Sequence, residues 1–153
     1  MGPAPAAPDR AALETLRLRR AELRGSMGAL ERALAEPVPI GHGRWAGRVN
    51  VALVELSADL REHIAVTEGE SGLHRDLLAT TPRLSGAVAR LDREHVQIRG
   101  LIDELLARTS APPYEVDRIR RLGTALLGVL VGHRQRGSDL IYEAYAFDLG
   151  GET

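Results

Sequence analysis

His63, His95 and His133 each fall on an apolar stripe that repeats at three- and four-residue intervals. The stripes run 49, 53, 56, 60, 63, then 84, 88, 91, 95, 98, then 122, 126, 129, 133, 140. Apolar side chains at that spacing line one face of a helix, so each histidine is expected to point inward. Imidazole nitrogen suits iron, zinc and manganese, and bundle cores build metal sites from side chains on facing helices. A lone core histidine is more often a hydrogen-bonded structural group. Three on separate helices leave two readings open, a metal site or a polar core layer. Asp59 and Asp92 stand four and three residues before His63 and His95, within helical reach of them. They could orient those rings or form ordinary surface pairs. Glu62 and Glu94 directly precede their histidines and should point elsewhere, and His42 and His74 read as surface groups.

Four helices must position these residues. Residues 1–8 form a Pro/Ala tail of disordered composition. From Asp9, the positions Leu13, Leu16, Leu23, Met27, Leu30 and Leu34 mark the first helix, and EPVPIGHG (36–43) ends it. The second runs from about Arg44 and weakens at GESG (69–72), with LHRDLLA (73–79) its continuation after a kink. Thr81-Pro82 reads as an N-cap with proline at the first position of the third helix. SAPP (110–113) ends that helix, and a fourth runs from about Tyr114 to the tail 149–153. Tyr142, Tyr145 and Phe147 are expected to close the bundle end by packing. The arginines around 17–24 and 118–121 read as solvated faces. With no alternating strand, the fold class is all-α, an antiparallel up-down four-helix bundle over residues 9–148. Take loop centres near 81 and 111. His63 is then 18 residues before the first and His95 14 after it, while His95 is 16 before the second and His133 22 after it. Those mismatches are roughly 6–9 Å along the axis at 1.5 Å per residue, which loops and the kink could absorb.

Composition narrows the function classes. Net charge is −1 and aromatics are 3%, so neither a nucleic-acid surface nor an anionic-membrane surface is expected. The chain has no cysteine, which removes disulfides, thiolate ligands and cysteine nucleophiles. MGPAPAAPD has neither a basic nor an apolar leader pattern, and a cytoplasmic protein is the default expectation. All 20 basic side chains are arginine, which with the Ala/Gly/Pro richness suggests a high-GC bacterial genome. Ser138 beside His133 and Asp139 has the composition of a hydrolytic triad but not its geometry.

The segments LREHIAVTEGESGL (60–73), RLDREHVQIRGLIDELL (90–106) and GHRQRGSDLIYEAY (132–145) carry a further signal. In their order of histidine then acid, Glu-His, and histidine then acid, the chain resembles the hemerythrin-like HHE cation-binding family over about residues 10–148. The resemblance implies a non-haem iron centre, di-iron in the family. It implies binding or sensing of dioxygen, nitric oxide or redox state, and a ligand set of His63, Glu68, His95, His133 and Asp139. Enzymatic oxygen or peroxide chemistry is a third reading. The chain departs from the pattern in three places. The second-helix carboxylate would fall at Thr67, and Glu68 is one residue late. The fourth-helix carboxylate would fall at Gly137 or Ser138, and Asp139 is again late. One residue turns a side chain by about 100°, so a π-bulge would be needed to restore each. The family's first-helix histidine is replaced by Arg20, 21 residues before a loop centre at 41 that His63 follows by 22. Arg20 could pair with Glu68, Asp59 or Asp139 in a metal-free Arg–His–carboxylate network serving an interaction or regulatory module. Alternatively it rotates outward and leaves a metal in place.

Overall fold

The computed structural model describes residues 10–68 and 72–150, with side chains through residue 144. Four long helices, α1 (Arg10–Ala35), α2 (Gly43–Glu68), α4 (Ser85–Ser110) and α5 (Val116–Gly150), form a four-helix bundle. The described residues contain no strand. A short helix, α3 (Leu73–Thr80), and a 3₁₀ turn, Pro82–Leu84, link α2 to α4. Around the bundle α1 packs on α2, α2 on α4, α4 on α5 and α5 back on α1. The pairings are antiparallel. Asn50 near the start of α2 donates to Thr109 near the end of α4 at 3.0 Å, while Arg108 meets Glu115 across the α4–α5 connection at 3.1 Å. Among the described residues no helix is long and apolar enough to cross a membrane.

The apolar stripes become the core. Leu23, Leu30, Leu53, Leu56, Ile98, Leu105, Ile119 and Leu126 have no accessible surface. On α5 the buried line passes through Leu130, with Val129 only half-buried, so the face is turned slightly from the expected one. Among the described residues the core divides in two. The larger cluster joins the lower halves of all four long helices, including Trp45, Leu53, Ile102 and Leu126. The smaller one joins Leu16, Leu73, Leu77, Leu84, Val88, Leu91, Leu140 and Ala144.

The C-terminus of α1 shows how local chemistry fixes the frame. Helix ends leave carbonyls without intrahelical partners. Arg120 takes two of them, donating to the Leu34 carbonyl at 3.0 Å and the Glu36 carbonyl at 2.9 Å. Its guanidinium lies 5.3 Å from the Trp45 ring centroid, and the Trp45 indole donates to the Ala33 carbonyl at 3.0 Å. Arg120 is therefore a structural clamp, not part of a solvated face. Opposite it, Gly123 lets α5 approach α1, since a Cβ there would stand 2.5 Å from a Leu34 methyl.

Several expectations change. Residues 73–80 form a separate helix, so they do not lengthen α2 along the bundle axis. Thr81 makes no side-chain cap, and α4 begins only at Ser85. Instead its backbone N–H closes the end of α3 on the Leu77 carbonyl at 2.7 Å. Tyr142 is 73% exposed and closes nothing; the side chains of Tyr145 and Phe147 lie outside the described ones. Helix α5 continues to Gly150, past the expected end at 148, as regular α-helix without a π turn. The tail 1–8 and most of GESG also lie outside the described residues.

Candidate metal centre

His63 from α2, His95 from α4 and His133 from α5 meet in one layer between the two apolar clusters. Ring centroids are 5.4 Å apart for His63 and His95, 5.6 Å for His63 and His133, and 4.5 Å for His95 and His133. One nitrogen from each ring lies within 4.8 Å of the others. All three side chains are buried. Across the α4–α5 link, residues 111–115, His95 stands 15 residues before the end of α4 and His133 17 after the start of α5, so little offset remains; between α2 and α4, where His63 is 5 residues from the end and His95 10 from the start, α3 and the 3₁₀ turn take up the difference.

Carboxylates stand behind two of the rings. Glu68 is hydrogen-bonded to His95 Nδ1. Glu94 Oε1 lies 3.3 Å from His133 Nδ1, and Arg136 grips Glu94 through Nε at 3.0 Å and through Nη2. His74 Nδ1 is 2.7 Å from Asp92, and its ring is parallel to that of His95, with centroids 6.3 Å apart. Glu68, Asp92 and His95 form a second group able to hold a cation, sharing His95 with the first.

Burial pushes the His63 imidazole down to about 3, helped by repulsion from His95 and His133. Burial likewise holds His95 at about 4, with His74 adding to it, and His133 at about 4, with His95 adding to it. Burial and the nearby Asp92 push Glu68 up to about 7. At Glu94 burial works upward, but Arg136 and His133 outweigh it and keep the carboxyl below its ordinary value. At neutral pH the three imidazoles are therefore neutral, each with one N–H and one lone pair.

That protonation sets up a specific conflict. An ionised carboxylate only accepts, so Glu94 fixes the His133 proton on Nδ1, and Glu68 does the same for His95 in its ionised form, which shares neutral pH with the protonated one. Both Nε2 lone pairs then face each other at 2.9 Å. Two acceptors at that distance repel unless a cation sits between them. The carboxylate–histidine arrangement is the one that orients imidazole ligands in metal sites. Two nitrogens at about 2.0–2.1 Å from a metal, ~90° apart, are about 2.9 Å from one another. His63 Nδ1 is buried without any hydrogen-bond partner, a cost that a cation would remove. The residues present fit a metal ion.

Of the five residues expected as ligands, the structure brings four together: His63, His95, His133 and, through His95, Glu68. It does not bring Asp139, which is exposed and accepts from Gln135 at 3.0 Å. Without a π turn in α5 nothing rotates Asp139 inward. Thr67 occupies the inward position instead, its hydroxyl donating to the His63 carbonyl at 3.0 Å. Arg20 pairs with none of the three acids proposed for it. Its Nη2 donates to Ser138 Oγ and to the Arg134 carbonyl at 3.3 Å, while Asp59 accepts from Ser26. Asp92 serves His74, not His95.

Sequence reasoning missed two residues, and both had a readable signal. Glu94 is buried, and 91, 94, 98 is also a three-and-four spacing. His74 is buried, and it stands three residues before Leu77, whose side chain has no accessible surface. A bundle helix meets two neighbours, so its buried face is wider than a single stripe. Beside the histidines lies a cavity of about 30 Å³, whose lining includes Arg20, His63, Thr67, His74, His133 and Arg134. No family model, no curated protein and no solved structure significantly matches this chain.

Proposed function

We propose that this bundle binds a transition-metal ion through His63, His95 and His133. The reading favoured is a hemerythrin-like non-haem iron protein of the cytoplasm that binds or senses dioxygen, nitric oxide or redox state. The observation that carries it is the pair of Nε2 atoms converging at 2.9 Å with a carboxylate behind each ring. Glu68, Asp92 and His95 form an alternative cation position, which shares His95 with the first and so competes with it for that ring's single lone pair. Bound iron would supply one-electron chemistry and an open position for a small gas. The chain's own part is to hold His95 and His133 in one tautomer, keep all three imidazoles neutral, and surround them with apolar side chains. The test is anaerobic addition of Fe(II) to chelator-treated protein, followed by metal analysis. One to two irons per chain are expected, and less than about 0.2 sinks the metal reading.

A second reading is supported by the continuity of the network. With Glu68 protonated, its hydroxyl donates to His95 Nδ1, His95 Nε2–H donates to His133 Nε2, and His133 Nδ1–H donates to Glu94. Every bond along this chain of four groups is then satisfied without a metal, His63 Nδ1 alone staying unpartnered in the layer, and Arg136, not Arg20, supplies the arginine. This is the metal-free interaction or regulatory module. Failure of iron, zinc and manganese to bind, with the fold intact, selects it.

A further inference from the structure

The cavity beside the histidine layer has a charge problem of its own. Arg20 and Arg134 both line it, and among the described residues its lining includes no acidic side chain. Neither guanidinium has a described carboxylate within 4.0 Å. What Arg20 does bond, Ser138 Oγ and the Arg134 carbonyl, is neutral. Arg134 Nε is buried with no partner at all. Arg20 feels its neighbour, since burial and then the charge of Arg134 lower its pKa. The third side of the cavity is His63, 7% exposed, whose Nδ1 is likewise unpartnered. Two half-buried cations beside neutral imidazoles, with no counter-charge among the described residues, are costly unless an anion neutralises them.

We propose that this cavity binds a small monovalent anion of two or three non-hydrogen atoms, of the size and shape of nitrite or formate, between Arg20 and Arg134. The volume sets the size. The space between the side chains is about 30 Å³, more than one water molecule needs and small enough to favour a compact anion over sulfate or phosphate. The planar guanidinium fork sets the shape, because it matches two oxygens in one plane. The site goes beyond the metal reading and does not require it. If a divalent ion occupies the histidines, the same anion offsets a charge that three neutral imidazoles leave uncompensated.

The test is thermal unfolding of the full chain, metal-free and separately Co(II)-loaded, against sodium formate and sodium nitrite at constant ionic strength. Sodium sulfate is the size control, and Co(II) uptake is read independently in the same samples. Expected is a saturable rise in Tm of about 2–6 °C with formate or nitrite and none with sulfate. Arg20→Gln and Arg134→Gln should each abolish the rise; either variant that folds suffices. Binding seen only in the Co(II)-loaded chain, and weakened at least tenfold by one of the variants, also supports the proposal. No saturable effect in either form overturns it and leaves the metal reading standing. An equal effect of sulfate, or an effect undiminished in the variants, overturns it as well. Absence of Co(II) uptake with formate still bound sinks the metal reading alone.

Discussion

His95 and His133 each engage Nδ1 with a carboxylate, so a change at either acid would act on the proposed metal through the ring in front of it. Glu94→Gln is the sharper case, because Arg136 already holds Glu94 ionised. The amide keeps the volume but loses the charge that fixes the His133 proton on Nδ1. Metal affinity is expected to fall 10–100-fold, measured by competition with a chelator of known affinity, and a loss under threefold would deny Glu94 that orienting role. Much of this site was legible from spacing. Three histidines on three stripes predict three rings in the core, and the rings are there. The partners were harder to read. On a helix about 100° separates neighbours, so Glu94 was assigned away from His95, correctly, but not toward His133 on the next helix. Asp139 was assigned inward through a bulge that the regular hydrogen bonding of α5 does not contain.

At the scale of the element, glycine separates close packing from open surface. Gly123 on α5 sits where a methyl group would meet the side chain of Leu34 on α1, itself buried. Alanine there gains about 1 kcal/mol of helix propensity but must displace a core leucine, at about 1–3 kcal/mol. Gly123→Ala is expected to destabilise by up to about 2 kcal/mol. Gly100 on α4 is exposed, with open space where its Cβ would be, so Gly100→Ala should stabilise by about 0.5–1 kcal/mol. Urea unfolding of the two variants checks the difference in sign, and two variants of like sign would contradict the packing described. The long helices were legible because their stripes persist over many turns. The connection between α2 and α4 was not, because a kinked continuation and a separate short helix carry the same apolar spacing at Leu73 and Leu77.

For the whole molecule, burying three neutral imidazoles ties stability to pH. His63, His95 and His133 titrate near 3–4 in the fold against about 6.5 in the unfolded chain. Between those values the unfolded state binds more protons, so their contribution is present above about pH 6.5 and is lost as pH falls toward about 4. Glu68, raised to about 7, acts in the opposite sense between about 4.5 and 7, one group against three. The metal-free chain is therefore expected to show a lower urea midpoint at pH 5 than at pH 7 with an unchanged m-value. A flat profile would mean that the histidines are already protonated in the fold. The position of these histidines has a consequence for motion as well. They form a polar layer between a large apolar cluster and a small one, and the small one includes α3 and the last described turns of α5. Cooperative units in proteins follow such divisions. Backbone amides of residues 73–80 are expected to exchange with deuterium through a partial opening far below the global unfolding free energy, while those of residues 98–105 exchange only with the whole fold. A small ligand of the kind proposed above would then reach the buried layer through the end of the bundle that opens, without the rest coming apart.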